Sequence, residues 1–344
     1  MSRIARLARK SFPADGLTFA TALIKTICDL AGERTLIEDA QADFLFSGMR
    51  DAIQRHDSSF LYEWMFKAAN YQGVSDAVAE TYLEEHGSVS ATDVGAALRG
   101  KPPCPKLQSY WHFKNCGYRK SSRSCSEPRH VGHCPLPTHD CRTGSLNQSA
   151  YSLALFMRDI VGNDFVKWLD ERVEQADQPN ATDRAQRMAQ AVIAPLRSVH
   201  GISDKLLNMS LATLLLAGDP ERERWVTAGA SMIAVDSLVH NFMTRSGILR
   251  RLRSTHTYGP QCYGPRGCAV VIDVVARRID ARKLNPDWPR TFQRLVQKSI
   301  WRFCALSELN ICNGNRIDDT RRCKQTTCEL YSRCDRLALS PRKA

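Results

Sequence analysis

At 344 residues, 43% of them hydrophobic, the chain is long enough for one large helical domain or two modest ones and apolar enough to exclude wholesale disorder. Its longest apolar stretches, such as Leu211 to Ala217, are too short to span a bilayer, and its opening lacks the apolar run of a secretory signal. The net charge of +12 is uneven: residues 241–344 carry 21 Lys+Arg against 8 Asp+Glu, residues 101–145 carry 8 against 2, and the remainder is acidic, as expected of two basic blocks that face a polyanion.

In chain order, Met1 to Phe12 is basic through Arg3, Arg6, Arg9 and Lys10 and reads as a frayed helix, with an organelle-targeting segment as the alternative. Leu17 to Leu98 reads as helices, with apolar residues at helical spacing from Ala20 to Ala31 and from Phe60 to Ala69, and a break at Gly87-Ser88-Val89-Ser90. Lys101 to Gly144 has little periodicity and is rich in Cys, Pro, Ser, Arg and His; it reads as an irregular segment folded around metal, or a long loop. From Leu146 the helical pattern resumes, with Tyr151, Leu153, Leu155, Phe156, Ile160 and Val161 on one face and an end near Gly162. A second helix is expected from Asp164 to Gln175, then a polar linker from Asp177 to Asp183, then a helix capped by Asp183 and running through Ile193. Ala269 to Ala276 is β-branched and short, and periodicity leaves it open between a buried helix and a strand.

Thirteen cysteines are many for a chain without a secretion signal, and in a reducing compartment clustered thiols more often bind metal than form disulfides. The C-terminal group, Cys312-x10-Cys323-x4-Cys328-x5-Cys334, suits an iron–sulfur cluster or zinc, and Arg316, Arg321, Arg322, Lys324, Arg333 and Arg336 surround it. Cys304, on the preceding helix, reads as a buried thiol. The middle group, Cys104-x11-Cys116-x8-Cys125-x8-Cys134, has no standard zinc-finger spacing; it could hold zinc or a second iron–sulfur cluster, with Cys141, His112, His130, His133 and His139 as alternative ligands. There Tyr110, Trp111, Phe113 and Tyr118 interleave with Lys114, Arg119, Lys120 and Arg123, either as a surface that stacks on bases and holds phosphates or as the segment's own small core. Cys262 and Cys268 flank Tyr-Gly-Pro-Arg-Gly and read as part of an ordinary loop, with metal or redox use as the alternative; His240 and His256 read as plain core or surface histidines.

The most informative stretch is Val199-His200-Gly201-Ile202-Ser203-Asp204-Lys205, in which a helix ends before a glycine-centred turn and an apolar helix follows at once. Gly201 can adopt positive φ, and the new helix presents backbone N–H groups suited to a phosphate. Met232 to His240 contains Ile233-Ala234-Val235-Asp236-Ser237, an aspartate placed to begin a helix. Together these segments resemble the helix-hairpin-helix DNA glycosylases typified by endonuclease III and the adenine-specific mismatch glycosylase. Gly201 and Ile202 match the first glycine and the aliphatic residue of the family hairpin, and Lys205 falls where lyase-active members keep a Schiff-base lysine. Asp236 matches the family's essential aspartate, with Ser237 for the usual threonine, and Met243 and Gly247-Ile248 extend the likeness. His200 replaces a proline, Ser203 replaces the second glycine, and Gly218 to Gly229 is extra length read as a surface loop. The family places a four-cysteine [4Fe–4S] loop after an amphipathic helix like the one containing Phe292, Leu295, Val296, Ile300, Trp301 and Phe303; of the gaps, only Cys328-x5-Cys334 matches the usual spacing.

The resemblance covers roughly Gly144 to Cys334 and implies an all-α, two-lobed helical glycosylase fold with the cysteine-rich segment as an inserted metal module. The expected divisions are residues 1–100, a helical region; 101–143, the cysteine-rich segment; 144–303, the glycosylase-like domain; and 304–344, the iron–sulfur loop and basic tail. It also implies a base-excision glycosylase with AP-lyase activity, Lys205 as nucleophile, Asp236 as carboxylate, and Gly201, Ile202 and Ser203 on the DNA backbone. The alternatives are a non-catalytic DNA-binding protein of the same fold and, more distantly, a metal-dependent nuclease using the middle cysteine–histidine group. The expected partner is double-stranded DNA with a damaged base or abasic site, bound by a cytoplasmic monomer, nucleoid-associated in a bacterium, with no membrane involved. Asn147-Gln148 is placed near the flipped nucleotide.

Overall fold

The computed structural model describes residues 12–340 apart from Gly73, Ser75, Lys101 and Pro103, so the basic segment that reads as a frayed helix lies almost wholly outside the described residues. The fold is all-α. Helices α1 (Ala14–Ala31), α2 (Leu36–Phe46), α3 (Met49–Gln54), α4 (Ser58–Ala69), α5 (Asp76–His86) and α6 (Ala91–Leu98) precede the cysteine-rich segment. That segment holds short 3-10 turns, the one-turn helix α7 (Tyr110–Phe113) and a minimal antiparallel hairpin of β1 (Tyr118–Arg119) and β2 (Ser124–Cys125), with Tyr118 opposite Cys125. Helices α8 (Asn147–Asp159), α9 (Phe165–Ala176), α10 (Arg184–Leu196), α11 (Asp204–Ala217), α12 (Glu223–Ala230), α13 (Ser237–Arg245), α14 (Ile248–Arg251), α15 (Cys268–Ala276) and α16 (Gln293–Cys304) complete it. The segment left open between helix and strand is therefore the helix α15. None of the described helices is long and apolar enough to cross a membrane.

Local chemistry explains the helix starts. Asp57, Ser90, Asp164, Ser203 and Asp236 each accept a backbone N–H three residues on, at 2.9–3.4 Å, satisfying donors that the first turn leaves unpaired. Asp183 does occupy the N-cap position of α10 but makes no such side-chain bond.

The apolar faces assemble two main cores. One runs from Phe44 to Met232 and takes in α4 and α6 to α11. The other begins with Phe12 and α1, then resumes at Ile233 and continues to Leu330. In α1 the buried positions Leu17, Ala20, Leu23, Ile24, Ile27, Cys28 and Ala31 form one stripe, which packs on Val296, Ile300, Phe303 and Cys304 of α16. Each such Leu, Ile or Phe contributes about 1.5–3 kcal/mol relative to leaving it in water. A smaller cluster of Ile37, Leu216, Ala230, Ala281, Trp288, Phe292 and Leu295 joins the two cores. The chain thus passes from one core to the other between Met232 and Ile233, just before Asp236.

The stretch Gly218 to Gly229 is not a surface loop. Its second half is α12, which lies against α11 and buries Trp225 to 1% exposure beneath the Arg222 guanidinium, 4.7 Å from the ring. Extra length relative to the family reads as a loop, but burial of the indole provides the tertiary contact that a short helix needs.

Candidate functional site

The hairpin forms as expected: Gly201 has φ +75°, and a Cβ there would lie 2.3 Å from the Ser149 hydroxyl oxygen, so both conformation and space call for glycine. Ser203 caps α11, and Lys205 follows in its first turn, half-buried. Ile202 is half-buried and packs on the first core, while Gly201 and Ser203 are exposed. The Gln72 side chain spans the turn, donating to the Gly201 carbonyl and accepting the Ser203 N–H, both at 3.0 Å.

Asp236 caps α13 through Val239 and is half-buried. Asn208, one turn beyond Lys205, accepts the Ile233 N–H at 3.2 Å and donates to the Asp204 carbonyl at 2.8 Å. The Tyr263 hydroxyl accepts the Val235 N–H at 2.9 Å, and burial, with the charge of Asp204 adding to it, keeps that phenol protonated. Burial lowers the Arg294 guanidinium to about 10, opposed by Tyr263 and Asp236. Thus Asn208, Tyr263 and Arg294 gather around the junction that separates the first turn of α11 from Asp236. Sequence reasoning missed all three; the signal available was Asn208, one of the few polar residues within an apolar helix.

The cysteine-rich segment packs beside the hairpin. The Tyr110 hydroxyl donates to Ser198 at 2.7 Å, and burial lowers His200, with Lys120 acting in the same direction. Of the interleaved aromatics, Tyr110, Phe113 and Tyr118 are buried and only Trp111 is exposed, so the small-core reading holds for three of the four. Lys114, Arg119, Lys120 and Arg123 are exposed. Asn147 is 1% exposed and binds the Leu136 and His139 carbonyls and the Cys141 N–H; it fastens this segment to α8, which leaves its side chain no place beside a flipped nucleotide.

Within this segment the thiols of Cys104, Cys116, Cys125 and Cys134 lie in mutual electrostatic range. Burial raises Cys116 to about 11, and each of the other three adds to the rise. His139 is held by Tyr151, His112 by Ser109, and Cys141 is raised to about 12 by its own burial. At the C-terminus, Cys312, Cys323, Cys328 and Cys334 line one small cavity with Phe242, Phe303, Ile311 and Leu330. Burial raises Cys334 to about 11, again with all three companions contributing, while the Cys304 thiol and Arg245 favour ionised Cys312. Cys116, Cys125, Cys134, Cys323, Cys328 and Cys334 each accept the N–H of the residue two positions on, a turn that aims amide dipoles at sulfur. Two arginines line the C-terminal cavity, and Arg245 Nη1 and Arg336 Nε are buried with no hydrogen-bond partner among the described residues.

A further group was not expected. His240 and His256, read as plain histidines, and Cys262 and Cys268, read as an ordinary loop with metal or redox use as the alternative, have their ligand atoms within 4.8 Å of one another and could hold a metal ion. The four come from α13, the loop after α14, a 3-10 turn and the first residue of α15, so their spacing carries no motif. The hydrogen bonds around Cys262, from Cys268 first and then His240 and His256, drive that thiol toward the thiolate.

A cavity of about 420 Å³ that shares no lining residue with these groups lies between α9, α10 and α12, lined by Asp170, Asp177, Arg184, Arg222, Glu223 and Arg224. Those side chains pair with one another, so it is a surface ion-pair network. Compared with protein-family models, with curated proteins and with solved structures, the chain has no match.

Proposed function

We propose that the chain is a base-excision DNA glycosylase with AP-lyase activity, Lys205 serving as nucleophile and Asp236 as the carboxylate. The observation that carries this reading is the Asn208 tether: it bonds Ile233, three residues before Asp236, from a position three residues after Lys205, at the passage between the two cores. The Lys205 amine would attack the sugar C1′, forming a C–N bond as the glycosidic bond breaks and the base leaves with a proton. Positive charge that builds on the sugar is stabilised by Asp236. Ring opening gives an imine, and loss of the C2′ proton then expels the 3′-phosphate. The exposed cations of the cysteine-rich segment, beside the hairpin, and Arg316, Arg321, Arg322, Lys324 and Arg333 in the C-terminal loop would hold the DNA backbone.

Cys312, Cys323, Cys328 and Cys334 would hold a [4Fe–4S] cluster. Four thiolates with such a cluster are anionic, and Arg336 and Arg245, the latter also paired with Asp319, line the cavity and would offset that charge. Among the described residues, only the His240 group brings three or more ligand atoms within 4.8 Å. Cys104, Cys116, Cys125 and Cys134 would hold a second iron–sulfur cluster or zinc. The clusters' role would be to order the loops.

A non-catalytic DNA-binding protein of the same fold is the second reading, since the exposed cations of the two basic segments would hold the DNA backbone whether or not Lys205 reacts. Borohydride treatment with abasic-site duplex separates the two. The enzyme forms a covalent adduct that disappears in Lys205→Ala; tight binding with neither adduct nor base release supports the binder.

A further inference from the structure

We propose that His240, His256, Cys262 and Cys268 bind one zinc ion, separate from both four-cysteine groups, which clamps the helix capped by Asp236 to the loop that follows α14. The distances match one tetrahedral ion. His240 Nδ1 lies 3.4 Å from Cys268 Sγ and 3.6 Å from Cys262 Sγ, and His256 Nε2 lies 3.5 Å from Cys268 Sγ. Zinc bonded to nitrogen at about 2.0–2.1 Å and to sulfur at about 2.3 Å in a tetrahedron sets adjacent N and S atoms about 3.5 Å apart.

Charge favours the same ion. Two thiolates and two neutral imidazoles around a dication form a neutral complex, which suits a place where Cys262 and Cys268 are fully buried and His240 is 6% exposed. The outer bonds also fit. His256 Nδ1 lies 2.6 Å from the Ser254 carbonyl, which can only accept, so Nδ1 carries the proton and the Nε2 lone pair faces the thiols. Four protein ligands leave no open position, which marks a structural ion.

The backbone is shaped for this closure. A Cβ on Gly267 would lie 2.3 Å from the carbonyl oxygens of both Gln261 and Cys262, so the loop between the two cysteines folds back on itself only with glycine there. On the other side, the His240 N–H bonds the Asp236 carbonyl at 3.1 Å, within the first turn of α13. The ion therefore fixes that turn to Cys262 and Cys268, and it would do so whether or not the chain is a glycosylase.

Metal analysis of the full-length protein tests the proposal, with zinc and iron measured together. Wild-type protein is expected to carry one zinc, lost in the Cys262→Ala/Cys268→Ala double variant and in His256→Ala, retained in His256→Cys, with iron unchanged throughout. Because the double variant could misfold, the half-exposed His256 pair decides. Zinc unchanged in His256→Ala, no zinc in the wild type, or a Cys262–Cys268 disulfide in the purified wild-type protein overturns it. Iron replacing zinc at one equivalent and following the His256 variants would overturn the choice of metal.

Discussion

Replacing Asn208 by alanine removes the acceptor for the Ile233 N–H without removing a helical backbone bond. Asn208 is 6% exposed and Ile233 is 7% exposed, so water cannot readily take over. A buried donor left without a partner costs about 1–3 kcal/mol, which converts to a roughly 5- to 150-fold rise in local opening. Alanine is the better helix former by up to about 0.7 kcal/mol, so global unfolding would register less than this and local exchange is the sharper probe. Hydrogen–deuterium exchange of peptides covering residues 228–238 should show the loss of protection, and imine trapping should slow with it. Unchanged exchange in Asn208→Ala would show that this bond does not hold the segment carrying Asp236, and the reasoning that places the two proposed reacting groups together would fail.

Gly201→Ala should destabilise by about 1–3 kcal/mol in urea unfolding, from the left-handed φ and the close Ser149 hydroxyl, with Ser149→Ala recovering only the clash. Gln72→Ala frees the Ser203 N–H and should tighten DNA binding about fivefold, the worth of roughly 1 kcal/mol, leaving the salt dependence unchanged because no cation is added. Hydrogen bonds from Arg184, then Arg224, hold the Asp177 carboxyl at about 2, below its ordinary 3.8. A depressed carboxylate contributes stability that is present above the ordinary value and lost as pH falls, so melting temperature should drop between about pH 4 and pH 2. Asp177→Asn should flatten that acid limb, and an unaltered limb would exclude this ion pair as its source.

What was legible in the sequence was local. The α1 stripe follows from helical spacing, the Gly201 turn from the needs of a tight bend, and the Asp236 cap from a short polar side chain before an apolar run, whereas α8, read as having one apolar face, is buried nearly all round. What was not legible depended on distant partners. His240-x15-His256-x5-Cys262-x5-Cys268 has no recognisable spacing because each ligand rides on a different element. Trp225 turned an expected loop into a helix by finding a buried place against α11. Tyr110, Phe113 and Tyr118 looked equally suited to bases or to a core, and only packing separated them from the exposed Trp111. The basic N-terminal segment contributes nothing to this comparison, since it falls outside the described residues.

The most direct test of the proposed chemistry is to locate the bond itself: protein reduced with borohydride on abasic-site DNA, digested, and mapped by mass spectrometry. The sugar remnant is expected on Lys205, with its yield lowered in Asp236→Asn. A remnant on any other amine, or none while the DNA is bound, would contradict the assignment of Lys205 as nucleophile.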